Sequence, residues 1–356
     1  MTTALFSPFM LGDIELSNRI VMAPMTRNRA DKDNAPHSLN TKYYQQRASA
    51  GLIIAEASQI SPEGVGYPAT PGIYSEKQIA GWRDITDAVH NEGGHIFIQL
   101  WYCGRISHPV LLPDHQTPVA PSAIRPEGDA ITFEGPKPYV EPRALSSTEI
   151  TTIVSQYKQA AKMAKNAGFD GIEVHAANGY LIDQFLRDGT NQRTDEYGGT
   201  VEKRMRFLNE VLDAVCEIWP GNRVGIRLSP ENSFNSMSDS SPEEHFAYFI
   251  AQLNPRHLAY LHILEGDMVT KQRKVNYRSL RDIYNGTYIA NNNYDKNRAE
   301  TALDKGDSDL IAIGVPFIAN PDLVYRYKNN LELNIADQNT FYGGDEHGYT
   351  DYPFAN

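Results

Sequence analysis

The sequence predicts one α/β domain over residues 1–356, a (β/α)8 barrel. Two observations carry this reading. Short apolar runs rich in β-formers recur at residues 19–23, 51–57, 95–101, 171–176, 224–228, 259–264, 287–291 and 309–314. Eight is the number of parallel strands that closes such a barrel. Between the runs lie helical patterns with their own start and stop signals.

Taken in order, residues 4–18 alternate around Gly12-Asp13 and predict a hairpin that closes the bottom of the barrel. Residues 109–143 hold eight of the 21 prolines and separate the third strand from its helix. A connection that long in a compact domain is usually functional, most simply a lid over the barrel mouth, with a plain surface excursion as the alternative. Ser146-Ser-Thr-Glu149 then reads as a capping box, followed by Ile150, Ile153, Val154, Tyr157, Ala161 and Ala164 at helical spacing and by Gly168 as the stop. A second helix is expected over residues 201–218, closed by Pro220-Gly221. Ser241-Pro242-Glu243-Glu244 opens a third, with proline in the first turn and acids facing the helix dipole.

Composition excludes several classes. The 33 basic and 44 acidic residues give a net charge of −11 with no basic block, which disfavours nucleic acid as a partner. The longest apolar run, residues 310–319, is broken by Gly314 and Pro316 and is too short to span a bilayer. Two cysteines, Cys103 and Cys216, make neither a disulfide framework nor an iron–sulfur or four-cysteine zinc site, and no metal is expected. The N-terminus has no secretory pattern, so the expected location is cytoplasmic. A monomer or a small homo-oligomer fits equally well.

Barrel active sites lie at the C-terminal strand ends. Here those ends read Ala23-Pro24-Met25-Thr26, Glu56-Ala57, Gln99-Leu100-Trp101, His175-Ala-Ala-Asn178-Gly-Tyr180, Arg227 and Gly314. There is no nucleophile elbow, Walker loop, zinc spacing or dinucleotide fingerprint among them. An amide, a guanidinium, a hydroxyl, an imidazole and a phenol around one mouth can hold and polarise a molecule, so the chemistry is expected to belong to a cofactor.

At these residues the sequence resembles the Old Yellow Enzyme family, most closely the branch of N-ethylmaleimide reductase and related ene-reductases. The motifs are Gly51-Leu-Ile-Ile-Ala-Glu-Ala-Ser, Gln99-Leu-Trp, Gly104-Arg-Ile-Ser-His108, His175-Ala-Ala-Asn-Gly-Tyr-Leu and Asn191-Gln-Arg-Thr-Asp-Glu-Tyr-Gly-Gly199. Phe317-Ile-Ala-Asn-Pro-Asp-Leu323, Phe341-Tyr-Gly-Gly and Gly348-Tyr-Thr-Asp-Tyr-Pro353 complete the set, in order along the whole chain. The resemblance implies FMN at the mouth and NADPH or NADH as reductant. It gives Pro24, Met25, Thr26, Ala57, Gln99 and Arg227 to the flavin ring, and Asn292, Asn293, Gly314 and Val315 to its phosphate. His175 and Asn178 would bind a carbonyl oxygen of the substrate and Tyr180 would donate a proton. Tyr67, Trp101, Phe341 and Tyr342 would wall the substrate pocket, while Cys103, Arg105 and His108 have no assigned role.

Two departures stand out. The family commonly has an arginine where this chain has Val315, and Gly-Gly where it has Asn292-Asn293. Loss of a charge-assisted hydrogen bond predicts an FMN hold roughly ten- to a hundredfold weaker. The expected function is NAD(P)H-driven reduction of activated C=C bonds in α,β-unsaturated carbonyls, maleimides or nitroalkenes. The alternative is a flavin-poor barrel that binds a small molecule without chemistry.

Overall fold

In the computed structural model, which describes residues 3–355, eight parallel strands close a barrel in the order four-five-six-seven-eight-one-two-three. The strands are Ile20–Met22, Leu52–Gln59, Ile96–Trp101, Gly171–Ala176, Val224–Leu228, Tyr260–Leu264, Tyr288–Asn291 and Leu310–Ile313. Each lies within a residue or two of its expected place, and every residue in them is buried. Helices ring the outside, and none is long and apolar enough to cross a membrane.

The expected caps form. Ser146 accepts from the Glu149 amide while the Glu149 side chain reaches back, opening Ser147–Asn166. Gly168 stops that helix at a φ of 87°, open to glycine at little cost. Pro242 occupies the first turn of Pro242–Leu253. The helix expected over residues 201–218 is Val201–Cys216; its end tightens into a turn two residues early.

The N-terminal hairpin pairs Phe9–Leu11 with Ile14–Leu16. Its Leu11, Ile14 and Leu16 join Val21, Leu52, Phe97, Tyr260 and Leu310 in one buried cluster, a floor across the N-terminal strand ends. Gly225 makes room for this floor, because a Cβ there would meet the Tyr260 ring at 2.2 Å. The proline-rich insertion carries a second hairpin, Asp129–Thr132 with Gly135–Pro138. Ala130 and Tyr139 at that hairpin pack with Ala57, Trp101, Cys103, Ile106 and Tyr180, so the insertion covers the mouth's edge.

The C-terminal segment closes over the loop after strand one. The Arg27 guanidinium donates to the carbonyls of Phe341 at 2.9 Å and Gly348 at 2.9 Å, and Arg47 donates to Phe317 at 2.8 Å and Ile318 at 2.7 Å. Tyr43 stacks on Tyr349 with centroids 4.3 Å apart. Where strand two shifts register, Glu56 meets the Tyr44 hydroxyl and the Arg27 amide, both at 3.2 Å.

Burial lifts the Glu56 carboxyl from 4.5 to about 7, outweighing those two hydrogen bonds. The native state therefore keeps a proton that the unfolded chain releases. The resulting stability is full below about pH 4.5 and is lost as pH rises through about 7. Glu56→Gln is expected to flatten the pH dependence of urea unfolding in that window, by up to about 3 kcal/mol; an unchanged slope between pH 5 and 7 would count against this.

Candidate active site

Strand pleating decides which side chains enter the barrel. Residues 97, 99 and 101 of strand three face inward together, as do 173 and 175 of strand four, and the register sets Glu173 beside Gln99 and His175 beside Arg227. Above the apolar floor this produces a buried polar layer of Gln99, Glu173, Arg227, His262 and Asn291. Glu173 is its hub: it accepts from Gln99 Nε2 at 2.6 Å and from His262 Nδ1 at 2.9 Å. Facing a carboxylate, His262 Nδ1 carries the proton, and burial holds the ring's pKa below its usual value. Arg227 donates from Nη2 to Asn291 Oδ1 at 2.8 Å, and Asn291 in turn donates to the Ala312 carbonyl. The guanidinium is thus tied to an amide rather than directly bonded to a carboxylate.

The next layer is aromatic. The Trp101 ring lies 4.8 Å from Tyr180 edge to face and 5.7 Å from Tyr67 in a stack; His175 meets Tyr180 at 5.1 Å. The Tyr67 and Tyr180 hydroxyls are 3.2 Å apart. Burial raises the Tyr180 phenol far above its ordinary pKa and pushes the His175 imidazole well below its own. Tyr180 therefore stays protonated, and His175 stays neutral. The Cys103 thiol beside them is also raised by burial, which leaves it inert as a nucleophile.

The corner after strand four is fixed by its neighbours. Asn178 takes left-handed backbone, φ 58°, with its N–H on Ser229 Oγ at 2.8 Å and its carbonyl held by Asn235. Its Oδ1 accepts from Asn232 Nδ2 at 3.0 Å, which leaves the Nδ2 edge free to donate. The following Gly179 amide donates to Asp183, itself in a buried ion pair with Arg187. Arg105 finds a structural role, bridging the proline-rich insertion at Ile124 to the carbonyls of Asn235 and Ser236.

The buried atoms Arg227 Nε, Trp101 Nε1 and His175 Nδ1 have no hydrogen-bond partner within the protein. An unpaired buried donor costs about 1–3 kcal/mol, so this set fits a planar ligand rich in acceptors. Pro24 and Ala57 are buried and Met25 and Thr26 half-buried at the same rim. Met25 Sδ lies 3.5 Å from where a side chain on Gly314 would begin, joining the ends of strands one and eight. Asn292 and Asn293 both have positive φ, 93° and 55°, so the turn expected of glycines survives. Phe341 and Tyr342 are not brought into the aromatic cluster: they pair with each other, and Tyr342 is 69% exposed.

The sequence profile of the NADH:flavin oxidoreductase / NADH oxidase family matches residues 4–334. The chain belongs to this family. It is 43% identical over 359 residues to 12-oxophytodienoate reductase 1 of Oryza sativa subsp. japonica, covering 98% of this chain and 93% of that one. A probable flavin mononucleotide-dependent alkene reductase of Leishmania infantum is 43% identical over 355 residues, covering 98% and 97%. Among solved structures, morphinone reductase in complex with tetrahydroNAD superposes with a TM-score of 0.95 at 48% identity, covering 99% of this chain and 98% of that one. The expected membership among Old Yellow Enzymes is borne out, and the protein is a flavin-dependent oxidoreductase.

Glu173, His262 and Asn291 were absent from the sequence-based set. Part of the signal was present, since Glu173 and His262 each stand between two apolar residues within a strand and Asn291 ends one. Removing the hub carboxylate strands two buried donors, so Glu173→Ala should lower the unfolding free energy by about 3–5 kcal/mol. A loss below about 1 kcal/mol in urea titration would show that the polar layer does not depend on it.

Proposed function

We propose that the barrel mouth reduces activated C=C bonds, in α,β-unsaturated carbonyls, maleimides or nitroalkenes, using FMN and a nicotinamide reductant. When bound, the flavin supplies hydride. Thr26, Gln99 and Arg227 would hold its ring, with Arg227 on the edge where reduction gathers negative charge. Pro24, Met25 and Ala57 would pack against the ring. Asn292, Asn293, Gly314 and Val315 would border the phosphate.

The observation that carries the reading is the strand-four corner. His175 and the free amide edge of Asn178 present two donors for one carbonyl or nitro oxygen. Binding that oxygen withdraws electron density from the conjugated double bond and makes its far carbon a hydride acceptor. Tyr180, held protonated by burial and lying against His175, then supplies the proton to the near carbon. Tyr67 shares its hydroxyl contact with Tyr180 and, with Trp101, keeps water away from the transfer. Phe341 and Tyr342 would reach only the rim. The single-domain organisation, with residues 109–143 as the lid, belongs to the same reading, as does a shared mouth used in turn by nicotinamide and substrate.

A visible absorption spectrum after incubation with FMN and gel filtration tests the cofactor. A flavin spectrum that travels with the protein is expected. A colourless protein would favour the binding-barrel alternative, which rests on Val315 and the Asn292-Asn293 pair. For the chemistry, Tyr180→Phe should slow enone reduction by roughly a hundredfold, the scale of a lost general acid. Because the phenol's pKa is raised, wild-type turnover should show no loss from Tyr180 ionisation up to about pH 10. Full activity in the phenylalanine variant would remove the tyrosine from the mechanism.

A further inference from the structure

Val315 is 53% exposed and brings no charge to the loop after strand eight. The adjacent loop, next to it through the Asn291–Ala312 register, is unusually well supplied. Arg298 Nη1 donates to the carbonyls of Asn292 at 3.0 Å and Asn293 at 3.1 Å, and its guanidinium stacks 4.0 Å above the Tyr294 ring. These bonds hold the two carbonyls to one side of the positive-φ turn. The Asn293 amide makes no hydrogen bond within the protein, as in the backbone nests that take anions.

Arg273 approaches from the loop after strand six. A side chain on Gly266 would meet Arg273 Cβ at 3.6 Å and Asn292 Nδ2 at 3.7 Å, which places both residues beside that glycine. Both arginines face Glu265, Arg273 at 2.9 Å and Arg298 at 3.8 Å. Glu265 is nearly buried and already accepts from the Tyr288 and Tyr294 hydroxyls. Two guanidiniums thus share one carboxylate at the turn, and both side chains remain partly exposed, 43% and 36%. The other acids nearby have partners of their own: Asp295 caps its helix through the Arg298 amide, Asp267 accepts from the Ser233 and Thr270 hydroxyls, and Glu231 accepts from the Lys274 amide and the Tyr277 hydroxyl.

We propose that Arg298 and Arg273 supply the charge of the FMN phosphate site, in place of the arginine that this chain lacks at Val315. The proposal rests on the flavin reading above. It predicts an ordinary FMN affinity, against the weakened one expected from Val315 alone.

Full-length apoprotein titrated with FMN and with riboflavin, which has no phosphate, separates the possibilities through quenching of flavin fluorescence. Arg298→Ala and Arg273→Ala are each expected to weaken FMN by roughly tenfold or more, with riboflavin unchanged within about twofold. Val315→Arg in the Arg298→Ala background should recover FMN affinity. Arg273 touches no backbone carbonyl, so its variant reports on charge even if the loss of Arg298 disturbs the turn. FMN affinity unchanged in both variants, or FMN and riboflavin weakened equally, would overturn the proposal. Wild-type protein that binds neither flavin would overturn the flavin reading and this inference with it.

Discussion

A carboxylate enclosed in a barrel is tolerable only if its neighbours satisfy it, and the upper interior of this protein is organised by that requirement. Glu173 has no water to turn to. Gln99 and His262 must therefore point their N–H groups at it, which fixes one amide orientation and one imidazole tautomer. With one Nε2 hydrogen so committed, Gln99 keeps its oxygen and its second N–H for a ligand. Arg227, across the same interior, has its pKa lowered by burial but partly supported by the Glu173 charge, so its cation is retained close to where a ligand's electron density would accumulate. One buried charge sets the donor and acceptor pattern of the site.

The layers beneath and above both shield this arrangement from water. The floor of Leu11, Ile14, Leu16, Phe97 and Tyr260 excludes water from below and so raises the energetic stakes of every polar contact. The aromatic tier of Tyr67, Trp101 and Tyr180 does the same from the side, and it shifts Tyr180 and His175 in opposite directions from their usual pKa values. A phenol kept as an acid and an imidazole kept neutral are the forms that proton donation and hydrogen-bond donation need.

Much of this was legible in the sequence because it depends on short-range pattern. Apolar runs of barrel length, the Ser146 capping box and the Gly12-Asp13 turn are local signals, and they place the strand ends that carry His175, Asn178, Tyr180, Gln99 and Arg227. Glu173 and His262 were missed for a physical reason. Their polar character makes sense only once strands three to six stand side by side around one interior, and register is a tertiary property. The same holds for Arg298, which reads as an ordinary helix residue until the turn it grips is known. Tyr342 went the other way: a motif match suggested the pocket wall, but nothing local tells how far a C-terminal loop leans inward.

The arginine clasp on the C-terminal segment bears on the order in which the molecule is made. Arg27 lies directly after the first strand, yet one of its bonds is to the carbonyl of Gly348, 321 residues further along. A ribosome releases that partner long after the first strand has emerged. The eight strands can pair progressively as they emerge, whereas the loop carrying Pro24, Met25 and Thr26 lacks its final support until the segment from Phe341 to Gly348 is free. The earliest part of the site to be translated is thus secured late, and loss of the segment from Thr340 to Gly348 would leave the Arg27 guanidinium without its carbonyl acceptors.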